Sequence, residues 1–242
     1  MSMLAIHVSP DVSLEGAVAI LPCGACEAHG PHLPLDTDVR IAVGVAVRAV
    51  ERLRASGRSA WVLPPVTYGV TRFARNFPGT LGVSAATMTA VVADVLVAAR
   101  EAGASTLAIA NAHLEPANLD ALFAACAEVK LRSGAAVALQ SPGSRRSSAR
   151  LAAVAAAVDG HSGLYETSLM LALAPERVRG HAGLPENPAS LADGIVAGAT
   201  CFEDAGGPRA YFGAPARATS ELGERLLDEL AAMLVEGLAD VR

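Results

Sequence analysis

Apolar runs and amphipathic, alanine-rich stretches alternate along the chain in a regular order. Gly16 to Leu21 reads as a short buried strand bounded by Pro22 and Gly24. Asp36-Thr37-Asp38 offers N-cap chemistry for a helix that runs to about Ala55 and stops at Ser56-Gly57. Ala60 to Leu63 predicts a second strand, ended by Pro64-Pro65. Ser84 predicts the cap of a helix reaching Ala102, with Gly103 behind it, and Ser105 to Asn111 a third strand. Pro116 sits where a helix tolerates proline, in its first turn, and that helix ends at Ser133-Gly134. A fourth strand, Ala135 to Gln140, follows. The remainder reads as helical around Ala149–Val158 and Thr167–Ala174, as a Gly- and Pro-rich loop from Pro175 to Gly213, and as an amphipathic helix from Ser220 to Leu238. Strand then helix, repeated, predicts an α/β fold: three layers with a largely parallel central sheet flanked by helices. No repeat or linker is visible, so one domain over residues 1–242 is expected.

Composition narrows the picture. The chain is 52% hydrophobic, far too apolar for a disordered one. Its longest unbroken apolar run, Leu151 to Val158, is eight residues, against the ~20 that a membrane-spanning helix needs. Net charge is −5, and the basic residues are scattered apart from Arg145, Arg146 and Arg150, so neither nucleic acid nor a membrane is expected as a partner. Cys23, Cys26, Cys126 and Cys201 are too dispersed for a disulfide framework, and no export signal is visible, so a cytoplasmic location is expected.

The informative segment runs from Leu21 to Asp38. It starts at the carboxyl end of the first strand, the edge at which open α/β sheets place ligands. Glu27, His29, His32, Asp36 and Asp38 crowd into it, in a chain only 18% charged. Cys23-x-x-Cys26 permits a redox pair, and Cys23, Cys26, His29 and His32 permit a structural zinc site. The continuing Gly/Pro-rich loop disfavours the first, and the missing spacer between ligand pairs disfavours the second. Oxygen and imidazole donors suit a hydrolytic Zn, Mn or Fe centre better. Asn111-Ala112-His113-Leu114-Glu115 supplies matching groups at the end of the third strand, and His161 and Glu166 supply more at the start of a helix. Any one of these clusters alone is weak, because a lone histidine is usually structural; their joint placement carries the reading.

Pro22-x-Gly24-x-x-Glu27-x-His29-Gly30-x-His32-Leu33-Pro34-x-x-x-Asp38 resembles the signature of the creatininase (creatinine amidohydrolase) family. Phe77-Pro78-Gly79-Thr80, Asn111-x-His113, His161 to Ser168 and Gly213-x-Pro215-x-x-Ala218-Thr219 resemble its later blocks, in order. The resemblance implies an α/β domain with two divalent metal ions per chain (Zn, Mn or Fe), a homo-oligomer, most often a hexamer, and cleavage of specialised amide C–N bonds. By motif, Glu27, Asp38 and His113 would hold one ion, and His29, Asp38 and either Glu115 or Glu166 the other. Asp38 would bridge, bringing the ions close enough to share a hydroxide. His161, with Glu115, is implied as the catalytic pair, and His161 as the proton shuttle to the leaving nitrogen. His32 is expected to orient the loop or a ligand rather than bind metal.

Departures bear on substrate. Ala112 stands where the family usually has glycine. Leu114, Ala157 and Val158 stand where creatininase carries a tyrosine and a tryptophan–aspartate pair, so creatinine is not the expected substrate. Arg72 and Arg75 are candidates for recognising a carboxylate or phosphate, beside the equally good reading of a solvated loop. His7 and His181 read as surface or loop histidines and Cys126 as core, while Cys201 and Trp61 carry no signal. The expected activity is hydrolysis of a small cyclic or formyl-type amide, that is, a small-molecule substrate. The alternatives are the family's mycofactocin-type cofactor-precursor peptidase branch and a non-catalytic metal-binding assembly protein.

Overall fold

The computed structural model describes residues 3–142, 145–154 and 160–241. Four strands, β1 (Val18–Cys23), β2 (Ala60–Val62), β3 (Thr106–Asn111) and β4 (Val137–Gln140), form one sheet in the order β2-β1-β3-β4. Every pair in it is parallel. Helix α1 (Thr37–Ala55) returns the chain from β1 to β2, α2 (Ala85–Glu101) from β2 to β3, and α3 (Pro116–Ser133) from β3 to β4. Helices α4 (Arg145–Val154), α5 (Leu164–Leu173), the short α6 (Leu191–Val196) and α7 (Ser220–Gly237) follow.

Both faces of the sheet are covered, which is why its strands are continuous apolar runs rather than alternating ones. Val18 and Ile20 point to α1, α5 and α7, where Val45, Val50, Leu169, Leu226 and Leu230 are buried. Ala19, Leu21, Leu107 and Ile109 point the other way, onto Met88, Val92, Leu96 and Leu122 of α2 and α3. Because α1, which follows β1, lies on one face and α3, which follows β3, on the other, the chain leaves these adjacent strands in opposite senses. Ligand clefts form at the carboxyl edge of such a junction. Cys23 pairs with Asn111 in register there, and Ala112 N donates to Cys23 O at 3.2 Å, so the loops after both strands start side by side.

Several boundaries differ from the expected ones. Strand β1 continues through Pro22, whose carbonyl accepts from Val66 N; its donorless nitrogen costs no ladder bond because β2 has already ended at Val62. Asp36 occupies the N-cap of α1 without capping it and instead takes Arg40 Nε at 2.9 Å. Ser84 caps α2 through Thr87 N, as expected, and Thr219 caps α7 through Leu222 N. The stretch Pro175–Gly213 is more ordered than a plain loop, with 3-10 turns at Pro175–Arg177 and His181–Gly183 and with α6 capped by Ser190. The expected helix Ala149–Val158 is α4, shifted towards the N-terminus, and its predicted last residues lie outside the described ones. Among the described residues, no helix is long and apolar enough to cross a membrane.

Helix α7 packs onto α5 through Gly223, where an added Cβ would fall on the Ser168 carbonyl oxygen. Gly237, at the far end of the same helix, has nothing within 4 Å of such a Cβ. Gly223→Ala is therefore expected to destabilise the protein by about 1–3 kcal/mol through overpacking, while Gly237→Ala leaves it unchanged or up to ~1 kcal/mol more stable. Urea unfolding of the two variants checks the pair.

Candidate metal centre

Each loop at the carboxyl edge brings part of one buried cluster. Gly24 lies against the start of α1, where a Cβ would strike Val39 N, so the first turn of α1 closes onto the end of β1 and carries Asp38 into the site. The loop between them is braced within itself, Glu27 N donating to Leu35 O, and pinned from outside, Ala28 N donating to Thr80 Oγ1 and Leu81 N to Cys26 O. This gives Phe77-Pro78-Gly79-Thr80 a structural purpose, as the wall that holds the Glu27–His29 segment.

Asp38 stands at the centre, with one oxygen for each side. Its Oδ1 lies 3.2 Å from His29 Nε2, and its Oδ2 lies 3.2 Å from His113 Nδ1. Glu27 Oε1 is 3.3 Å from His113 Nδ1, and Glu166 Oε2 is 3.6 Å from His29 Nε2. His161 Nδ1 faces Glu27 Oε1 at 3.7 Å and Glu166 Oε2 at 4.0 Å. The donor atoms of Glu27, Asp38 and His113, of His29, Asp38 and Glu166, and of Glu27, His29 and His161 each lie within 4.8 Å of one another, and all of these residues are buried.

The other nitrogen of each ring faces a backbone carbonyl. His29 Nδ1 lies 3.1 Å from Glu27 O, His113 Nε2 2.8 Å from Val70 O, and His161 Nε2 2.7 Å from Ala28 O. A carbonyl only accepts, so in the neutral rings these contacts place the N–H there and turn a lone pair inward. Lone pairs then face carboxylate oxygens, acceptor against acceptor, and His29 Nε2 and Asp38 Oδ2 are left buried with no hydrogen-bond partner. Such a site requires positive charge. Burial lowers the affinity of His29 for a proton, yet Asp38, Glu166 and Glu27 outweigh it and push the ring up to about 10. His113 likewise rises well above its usual value against the cost of burial, through Glu27 and Asp38. Divalent cations meet the same demand, and the donor set, imidazole nitrogen with carboxylate oxygen, fits them.

The flanking groups are tuned differently. Burial, and then His29, lower His161 to about 4, so its ring is neutral at physiological pH. His161 stacks on Phe202 with centroids 4.4 Å apart and lies 4.2 Å from the His29 ring. Burial raises Glu166 to about 7, while Ser162 N donates to its Oε2 at 2.6 Å. His32 bonds Thr167 Oγ1 at 2.9 Å, next to Glu166, and belongs to none of the clusters.

Glu115 does not join them. Its Oε2 accepts from Arg72 N at 2.7 Å and Phe73 N at 3.2 Å, which fixes the strand of chain whose Val70 carbonyl orients His113. The second triad is thus completed by Glu166. Arg75 is engaged by Arg72 O and by Thr200, and neither Arg72 nor Arg75 lines the adjoining cavity. Leu114 does line it, whereas Ala157 and Val158 lie outside the described residues. Cys23 is buried in the core beneath α2, and no cysteine belongs to a donor cluster among the described residues, which disfavours the structural zinc reading.

Four contributors carried no signal that sequence reading used. Thr71 Oγ1 bonds Glu27 Oε2 at 2.5 Å, Asn118 holds both Val70 N and His113 O, Phe202 covers His161, and residues 186–192 with Ile195 wall the cavity. Asn118 was discoverable in principle, as a fully buried amide on the apolar side of α3.

A buried imidazole–carboxylate centre at the carboxyl edge of a parallel sheet is the site of a metal-binding hydrolase. The chain belongs to the creatininase family: the family model, described as creatinine amidohydrolase, matches residues 9–238. It is 32% identical over 228 residues (92% of this chain, 83% of the relative) to the mycofactocin precursor peptide peptidase of Mycolicibacterium smegmatis. It is 33% identical to the creatinine amidohydrolase of Pseudomonas putida over 109 residues, 43% of this chain and 40% of that protein. Among solved structures, "Creatininase Mn" superposes with a TM-score of 0.73 at 26% identity, covering 93% of this chain and 91% of that one. A mutant creatininase of Zn-Zn type, at 24% identity and a TM-score of 0.74 over 93% of this chain and 90% of that one, shares the fold.

If cations hold the three carboxylates together, Asp38→Ala should remove bound metal altogether, because each of its oxygens serves one side. Glu166→Ala should lower metal content, and Glu115→Ala should leave it unchanged. Elemental analysis of the three purified variants decides between the two glutamates.

Proposed function

We propose that this chain is a metal-dependent amidohydrolase that cleaves an amide C–N bond of a peptide, in the manner its full-length similarity to precursor peptide peptidases suggests. The observation that carries the reading is the shape of the space beside the centre. A half-open cavity of about 560 Å³ joins Glu27, Asp38, His113, His161 and Glu166 to an apolar wall, much more room than a small planar amide fills. Hydrolysis of a small cyclic or formyl-type amide is the second reading. It is favoured by the match to a creatinine amidohydrolase and by Glu115 at the cavity wall. A merely structural metal site is disfavoured by its opening directly onto that cavity.

Glu27, Asp38 and His113 would hold one divalent ion and His29, Asp38 and Glu166 a second, both zinc and manganese being represented among the structural neighbours. Such ions supply Lewis acidity and make water nucleophilic near neutral pH. The protein's own share of the chemistry is proton handling and exclusion of water. His161 is neutral, with its Nε2 proton spent on Ala28 O, so Nδ1 is free to take a proton from the attacking water and return it to the leaving nitrogen. Phe202 keeps bulk water off that ring.

His161→Ala is expected to retain metal while lowering kcat by about 10²–10⁴-fold. Loss of metal with activity would make His161 a ligand instead. Metal-loaded protein should release products from peptides of a library monitored by mass spectrometry. It should turn over creatinine at least about ten- to a hundredfold more slowly, since Leu114 offers the ring's polar edge nothing to bond. Efficient creatinine hydrolysis with intact peptides would reverse the ranking of the two readings.

A further inference from the structure

The cavity has two unlike ends. Beyond the carboxylates and imidazoles one stretch of its wall is apolar, made by the side chains of Phe73, Leu114, Pro116, Leu191, Ile195 and Phe202, while Glu186, Asn187 and Ser190 line it elsewhere. Phe73, Leu191 and Phe202 also pack into the aromatic cluster around Phe212. Leu114 and Ile195 pack into none of the three apolar clusters of described residues, and both are half-buried, facing the open space. Leu114 directly follows His113, so the apolar wall begins one residue from the centre. On the other side, Gly194 lets α6 settle against Ala205, and Leu191 and Ile195, four residues apart, share the face on the cavity.

A concave apolar surface that the chain's own side chains do not cover has a favourable partner in another apolar group and an unfavourable one in a charge. We infer that this wall is a subsite for a bulky apolar side chain on the residue next to the scissile amide, with Leu114 and Ile195 as its specificity-determining residues. The inference rests on the peptide reading and sharpens it: the substrate is a peptide with a leucine- or phenylalanine-like residue at the cleavage point, not an acidic or glycine-rich one. These six side chains offer an acidic group no hydrogen-bond donor, and Glu186, which also lines the cavity beside Asn187 and Ser190, adds like-charge repulsion.

Binding of N-acetyl-amino-acid hydroxamates to the metal-loaded protein tests this without requiring turnover. By calorimetry, the leucine and phenylalanine probes should bind at least about tenfold more tightly than the glycine probe, and the aspartate probe more weakly than any of them. Ile195→Asp should abolish the preference for leucine. Leu114→Ala, a milder change, should reduce it, which guards against a folding defect in the first variant. Equal affinities across the series, undetectable binding of the leucine probe, or a preference that survives in both variants would overturn the subsite. If the preference holds but no peptide carrying these side chains is cleaved, the subsite stands and the peptidase reading falls.

Discussion

Three buried carboxylates share a small volume with three imidazole lone pairs, and the centre is stable only if that excess of acceptors is neutralised. Glu27, Asp38 and Glu166 are each no more than 6% exposed, so solvent does little of this work. In the absence of cations the electrostatics demand protons on His29 and His113, against the cost of burying charged rings. Divalent ions would supply the same positive charge and free those rings to act as ligands, and under the proposed reaction His161, neutral even without cations, would be the proton carrier. The difference between His161 and its neighbours follows from position: Asp38 lies hard against His29 and His113, whereas the carboxylates nearest His161 are about half an ångström or more further away.

The fold serves this centre through the junction of β1 and β3. Both strands end at the same level, Cys23 beside Asn111, and their loops leave together. From one side comes the Glu27–Asp38 segment, from the other His113, and α5 adds Glu166 from below. Asp38 also lies in the first turn of α1, where the partial positive charge of the helix end favours its ionised form. The helix that covers one face of the sheet therefore begins with the group that joins the two halves of the site.

Much of this was legible in the chain. The alternation of apolar strands and amphipathic helices is dictated by a parallel sheet buried on both faces, and the capping at Ser84 is local chemistry that tertiary packing leaves alone. Where tertiary contacts intervene, local rules fail. Asp36 prefers Arg40 to its own helix end, and Pro22 continues a central strand because its neighbour has already stopped. The site shows the same division. Glu27, His29 and Asp38 fall on a dense, short-range pattern and His113 follows the strand beside it, and the geometry collects them. The side chain of Glu115 was ambiguous, since spacing cannot reveal that the amides of Arg72 and Phe73 approach from a loop 43 and 42 residues earlier in sequence. Phe202 and Ile195 belong to a stretch whose composition says only that it is not a regular helix, so their place at the cavity depends on how that stretch folds back.

The backing of the three histidines by main-chain carbonyls has a consequence for how the protein can change. Val70, Glu27 and Ala28 contribute only their oxygens here, which every amino acid possesses. Ring orientation is therefore nearly indifferent to the identity of two of these three residues, Glu27 being a donor in its own right, and strongly dependent on the path of the chain through them. At positions 28 and 70, whose side chains are buried, size-conserving replacements should disturb the rings far less than a one-residue insertion or deletion between Gly24 and Asp38, or between Pro64 and Thr71. At these backing positions the orientation of the rings depends on the length of the loops more than on their side chains.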